Sequence, residues 1–272
     1  MLIVLGVWLR MRAPYSIRAY NAGTACLAAG EYEESIKHLT ASLDQNPSQP
    51  DALFERAQAY VELEDYHSAI RDLKAAVELT SGQDGRQHAL LAYCLNRIDS
   101  HAVAASCYDR AISCGFRTAA VYNNLGVTHR HEKRFDSANK ALDKAVAIGQ
   151  HEAVVLQNRA ITWNAAAARE SRYPLEAIRD VAVMLERGRG TASEYAVAAK
   201  VYGHASMFDT SNTAAGVRYL KLAVAKGMPL NSISSDPFLA HLLRNSEIPV
   251  HEFAVGQSQS STTPDRFIHP VP

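Results

Sequence analysis

Residues 119–152 read AAVYNNLGVTHRHEKRFDSANKALDKAVAIGQHE. Apolar and small residues fall on one helical face in two blocks: Tyr122, Leu125, Gly126 and His129, then Ala138, Leu142, Ala145 and Val146. The spacings, i, i+3, i+4, i+7 and then i, i+4, i+7, i+8, belong to amphipathic helices. Lys133-Arg134 is a polar hinge between them. The stretch predicts an antiparallel pair of short helices. Such a hairpin is too small to enclose a core, so it requires neighbours.

The chain supplies them. The slot of Gly126 recurs as Gly23, Ala57, Ala92, Ala160 and Ala199, and that of Ala138 as Ser35, Ala69, Ala104, Ala177 and Gly216. Small residues belong where two helix axes come closest. Aromatic residues recur beside them (Tyr60, Tyr66, Tyr108, Tyr122, Phe135, Trp163, Tyr202), and Pro47 follows one helix. A period near 34 residues with this pattern resembles the tetratricopeptide repeat (TPR), over roughly residues 16–228. The resemblance implies an all-α, right-handed solenoid of about six hairpins whose first helices line a concave groove.

Hydrophobic residues make up 47% of the 272, enough for a sizeable core. Lys plus Arg and Asp plus Glu number 28 each, so no global charge draws the chain to nucleic acid. The basic run His129–Arg134 reads as a solvated turn. Cys26, Cys94, Cys107 and Cys114 form no C-x-x-C pair and read as small core or boundary residues, which favours a reducing compartment without deciding it.

Four segments are expected: residues 1–15, 16–231, 232–255 and 256–272. The first opens MLIVLGVWL, less than half the roughly 20 apolar residues of a membrane span. It is read either as a hydrophobic turn packed on repeat one or as the end of an anchor that begins outside the chain. The solenoid follows. Its fifth and sixth repeats each carry about five extra residues, with AAAARESRYP expected to lengthen a helix until Pro174 and SMFDTSNTAAG to form a loop. In the third segment Asp236 and Pro237 have N-cap and first-turn character. They start a capping helix with Phe238, Leu239, Leu242 and Leu243 on its apolar face. The last segment, rich in Ser, Thr and Pro, is expected to be disordered.

One stretch imitates an active site. Ile70-Arg71-Asp72-Leu73-Lys74 resembles the protein-kinase catalytic loop, but Ile70 and Val77 replace its histidine and asparagine, and no other kinase motif appears. His129 and His131, two apart, lie on different helical faces and cannot share a metal. Gly188–Thr191 lacks the lysine of a phosphate cradle. The reading is therefore a non-enzymatic scaffold for a protein or peptide partner, with no cofactor, metal, small-molecule substrate or nucleic acid. The alternative is a sensory region. Val217–Arg244, with Ser235, Asp236, Pro237, Leu239 and Leu242, resembles the end of the repeat regions of bacterial membrane-anchored serine/threonine kinases. The localisation is accordingly cytoplasmic or at a membrane face.

By resemblance to the family, the position two before the small residue of each first helix faces the groove. It holds Asn21, Glu55, Leu90, Asn124, Asn158 and Val197. The asparagines resemble the ladder in the repeat superhelix of O-linked N-acetylglucosamine transferases, which implies that they hold a peptide backbone; an amide both donates and accepts. Arg86, Arg97 and Arg130 are expected to make one part of the groove basic, and Asp51, Glu55 and Glu62 another part acidic.

Overall fold

A computed structural model describes residues 15–149, 152–172, 174–229, 231–245 and 269–270. Among the described residues the regular structure is entirely helical. The chain divides into two compact units, the first running to Arg117 and including His269 and Pro270, the second beginning at Thr118. The first contains α1 (Tyr15–Ala29), α2 (Tyr32–Gln45), α3 (Pro50–Glu62), α4 (Tyr66–Leu79), α5 (Gly85–Arg97) and α6 (His101–Ser113). The second contains α7 (Ala119–His131), α8 (Phe135–Ile148), α9 (Glu152–Arg169), α10 (Leu175–Arg187), α11 (Ala192–Ser206), α12 (Thr213–Ala225), α13 (Asn231–Ser235) and α14 (Pro237–Asn245). Within each unit successive helices pack on one another as far as α12, which is met by α14 while α13 packs on α14, and first helices also meet first helices (α1 on α3, α7 on α9, α9 on α11).

The small slots hold the hairpins together as expected. Ala57, Ala92, Ala160, Ala199, Ser35, Ala69, Ala104, Ala138 and Ala177 are wholly buried, and Gly23, Gly126 and Gly216 are buried as well. The residue four positions beyond each second-helix slot forms the bulk of the core: Leu39, Leu73, Tyr108, Leu142, Val181 and Leu220 are each 0% exposed. At Gly126 an added Cβ would lie 2.5 Å from Leu142 Cγ and 3.0 Å from the Ala138 carbonyl oxygen. Glycine there allows the close approach that its sequence slot implies.

The hairpin turns share one device. In the first five hairpins a residue one or two positions past the first helix takes a left-handed conformation, and it is glycine only at Gly30; Glu64, Asp99, Lys133 and Ser171 occupy the same slot with φ between 51° and 60°. The next N–H closes back on the helix in each case. Asp65 N donates to Tyr60 O at 2.8 Å, Ser100 N to Leu95 O at 2.8 Å, Arg134 N to His129 O at 2.8 Å and Arg172 N to Ala167 O at 2.9 Å. These are Schellman-type closures that satisfy the orphan carbonyls of a helix end. Side chains supply the N-terminal counterparts. Asp65 accepts from Ser68 N, Thr118 from Val121 N, and Thr191 with Glu194 forms a reciprocal capping box.

The late repeats depart from the template in two ways. The extra residues of repeat five lengthen α9 to 18 residues against 13 for α7, and the helix stops at Arg169, short of Pro174. In repeat six the expected loop is largely helical. The link shortens to six residues with a 3-10 turn at Thr210–Asn212, nucleated by Asp209 accepting from Ser211 N, and α12 already begins at Thr213. The cause lies beyond the hairpin. A Cβ on Gly216 would come 2.7 Å from Leu242, and one on Gly203 would come 2.7 Å from the Phe238 carbonyl oxygen. The α14 helix is thus wedged against α11 and α12, with Leu239 and Leu242 at 0% exposure. Asp236 caps it, accepting from Phe238 N at 3.0 Å and Leu239 N at 3.2 Å. Phe238 is only half-buried and stacks on His204.

The apolar opening segment and most of residues 246–272 lie outside the described residues. Of the tail expected to be disordered, His269 and Pro270 are the described residues. His269 and Pro270 are placed within the first unit, and Pro270 is buried. Among the described residues no helix is long and apolar enough to cross a membrane.

Candidate partner-binding face

In the first unit the face formed by the first helices α1, α3 and α5 carries a connected set of polar side chains. Glu55 is its centre. Tyr20 Oη donates to Glu55 Oε1 at 2.7 Å and Thr24 Oγ1 to Oε2 at 2.5 Å, so both carboxylate oxygens are held from the neighbouring helix. Burial, together with the adjacent Glu55 carboxylate, pushes the Tyr20 phenol up to about 12. Asn21 on α1 and Glu62 on α3 are exposed. A cleft of about 360 Å³ opens here, lined by Thr24 and Leu27 from α1, by Glu55, Gln58 and Glu62 from α3, and by His269. Arg86 is also exposed, but its charge is partly committed. It meets Asp84 at 2.7 Å and lies over the Phe54 ring at 5.4 Å. Arg97 covers Tyr66 at 5.1 Å. Because Asp84 neutralises one of the two arginines, the expected acid-to-base division of the groove is weaker in this unit than the residue types suggest.

In the second unit the predicted asparagine ladder points inward. Asn124 is 0% exposed and Asn158 is 2% exposed. Asn123 Nδ2 donates to Asn124 Oδ1 at 3.1 Å, and Asn158 Nδ2 donates to Asn123 Oδ1 at 2.9 Å. This amide chain joins α7 to α9. Gln157 Nε2 donates to Ser193 Oγ, and Asn164 pairs with His204 at 2.9 Å, joining α9 to α11. Arg130 closes α7 and is half-buried. The sequence showed amides in the right slots but not the third one, Asn123, that turns them toward each other.

The helical hairpins and their register are what the sequence comparisons match. Profiles described as tetratricopeptide repeat cover residues 20–84, 55–115 and 118–155. The chain is a tetratricopeptide-repeat protein. Among solved TPR structures, MamA from Desulfovibrio magneticus RS-1 is 18% identical with a TM-score of 0.58, over 64% of this chain and 95% of that one. PilF of Pseudomonas aeruginosa is 17% identical with a TM-score of 0.59, over 75% and 88%. YrrB, described as a TPR protein with an unusual peptide-binding site, is 18% identical with a TM-score of 0.55, over 63% and 85%. At such identities the likeness shows the fold alone. A FAM10 family protein of Arabidopsis thaliana, At4g22670, is 28% identical over 121 residues, 42% of this chain; the chain spans about a quarter (27%) of that protein's length.

Within this TPR protein the kinase-like stretch has a structural use. Asp72 lies on α4, and the Arg56 guanidinium grips it with Nε–Oδ2 at 2.7 Å and Nη2–Oδ1 at 2.8 Å. The arrangement repeats in the second unit, where Arg159 grips Asp180 at 3.0 and 2.8 Å and also meets Asp143 at 2.8 Å. Each arginine directly precedes the small slot of a first helix, and each aspartate lies three beyond the slot of the second. Burial pushes the Asp180 carboxyl upward in spite of the arginine. Fork-to-fork pairs of this kind fix the angle between two helices as well as their separation. The signal was present in the sequence as Arg-Ala paired with Ala-x-x-Asp.

Proposed function

We propose that this TPR protein is a non-catalytic interaction scaffold whose first-helix faces bind an extended peptide or protein partner. The observation that carries this reading is the Glu55 constellation. A carboxylate with each oxygen held from α1, one by Tyr20 and one by Thr24, beside an open cleft, is a pre-positioned acceptor whose geometry costs little to complete on binding. Asn21, Glu55 and Arg86 form the contact surface of the first unit and Arg130 that of the second, while Asn124 and Asn158 hold α7 and α9 in register. Family membership supports the same reading, since TPR proteins typically bind protein or peptide partners.

The test uses the full chain as bait and compares wild type with Glu55→Gln, which keeps size and most packing. Proteins captured by wild type and lost with Glu55→Gln, at unchanged melting temperature, support the assignment. A capture profile identical for the two baits would remove Glu55 from the contact surface, and with it the observation on which the reading stands.

A further inference from the structure

The first unit already holds a segment of its own chain. His269 packs edge-on against Tyr93 of α5, with ring centroids 5.5 Å apart and planes at 61°. Tyr93 in turn meets Tyr66 edge-on at 6.5 Å, and Arg97 covers the far ring. The imidazole also forms part of the wall of the cleft between α1 and α3, together with Thr24, Glu55 and Glu62. Pro270, which belongs to no helix, is buried. Both residues belong to the first unit.

We propose that the segment containing His269-Pro270 is a resident ligand of the α1–α3–α5 face, and that this face selects extended peptides presenting a flat ring followed by proline. The chemistry favours such a ligand on three counts. A ring set edge-on against Tyr93 extends an aromatic row that already exists, so it gains contact area and quadrupole attraction together. Proline brings a fixed φ and has no N–H to satisfy, so burying it orders little and strands no donor. The neighbouring wall is acidic through Glu55 and Glu62, which suits a bound peptide that also carries a cationic side chain. The partner of the scaffold would then be a peptide of the same type, and it would have to displace the resident segment. A tethered competitor acts at an effective concentration that a free peptide must exceed.

This inference rests on the peptide-binding reading of the face, and its test can fail separately from that reading. A fluorescent peptide with the sequence of residues 263–272 (TPDRFIHPVP) is titrated by anisotropy into the full chain. The proteins compared are wild type and a full-length His269→Ala, Pro270→Ala variant, alone and combined with Tyr93→Phe or Tyr93→Leu. Vacating the face should tighten peptide binding by at least about tenfold over wild type. The gain should survive Tyr93→Phe, which keeps the ring, and vanish with Tyr93→Leu at unchanged melting. Equal affinity for wild type and the tail variant, no binding to either, or a gain indifferent to Tyr93→Leu would each overturn the proposal. If the peptide fails while partner capture still depends on Glu55, the resident-ligand idea falls and the scaffold reading stands.

Discussion

Removing the Asp72 carboxylate tests whether the kinase-like stretch is a helix clamp. The Asp72 side chain is 10% exposed and that of Arg56 17%, and two short charge-assisted bonds join them. Asp72→Ala deletes both acceptors and leaves a guanidinium that cannot shed its proton, with Thr40 Oγ1 at 2.9 Å as its remaining hydrogen-bond partner in the cluster. Breaking a fully buried pair costs about 3–5 kcal/mol. Residual exposure and Thr40 reduce this to about 2–3 kcal/mol here. Replacing both partners by apolar residues, Arg56→Met with Asp72→Leu, strands no charge and should lie within about 1 kcal/mol of wild type. The strongly non-additive double mutant is therefore the signature. Urea unfolding followed by circular dichroism suits the measurement, because urea does not screen charge as guanidinium chloride does. The single mutant should lower the midpoint by about 1 M for an m-value of roughly 2–3 kcal/mol/M. Asp180→Ala provides an internal comparison and should cost less, since Arg159 keeps Asp143. An Asp72→Ala midpoint indistinguishable from wild type, or a double mutant no better than the single, would refute the clamp.

Three further outcomes follow from the same structure. Lys133→Gly should stabilise by roughly 0.5–1 kcal/mol, because Lys133 holds φ of 60° in a slot filled by glycine in repeat one; an unchanged or lower melting temperature would contradict the turn geometry. Leu242→Ala should cost about 2–5 kcal/mol and promote self-association, because the side chain fills the space left by Gly203 and Gly216; gel filtration and thermal melting report both effects. The Tyr20 phenol has its pKa raised from 10.0 to about 12, so the stability it contributes is intact below pH 10 and is lost as pH rises through about 12. Tyrosinate absorbance of wild type minus Tyr20→Phe should therefore titrate near 12, and a difference midpoint near 10 would show that the Glu55 contact is absent.

Much of the architecture was legible because it repeats. Gly126 and Ala138 with their counterparts mark helix crossings, and a crossing that recurs every 34 or so residues leaves little freedom in how successive hairpins stack. The hinge at Lys133 was visible as a polar break, although its left-handed backbone was not, since lysine carries no sign of it. Repeat six misled because SMFDTSNTAAG reads locally as a loop, although its last residue, Gly216, holds the small slot of a second helix. Its smallness serves Leu242, which lies on a helix 26 residues away. The asparagine ladder was read on one helix at a time, whereas its orientation depends on Asn123 pairing with Asn158 across 35 residues.

The sequence by itself determined the helices, their order, their small-residue seams and the cap at Asp236, since these depend on side chains within a turn or two of one another or on a pattern repeated six times. Only the tertiary structure decided which polar residues face outward. The direction of an amide or a carboxylate is set by the partner that satisfies it when it is buried. Asn124 and Asn158 found theirs between α7 and α9, Asp72 found Arg56, and Glu55 was left with two donors and an open cleft at its side. The seating of His269 against Tyr93 is of the same kind. Nothing in the spacing of a short proline-containing segment encodes it, because the contact joins residues far apart in sequence through ring geometry and burial alone.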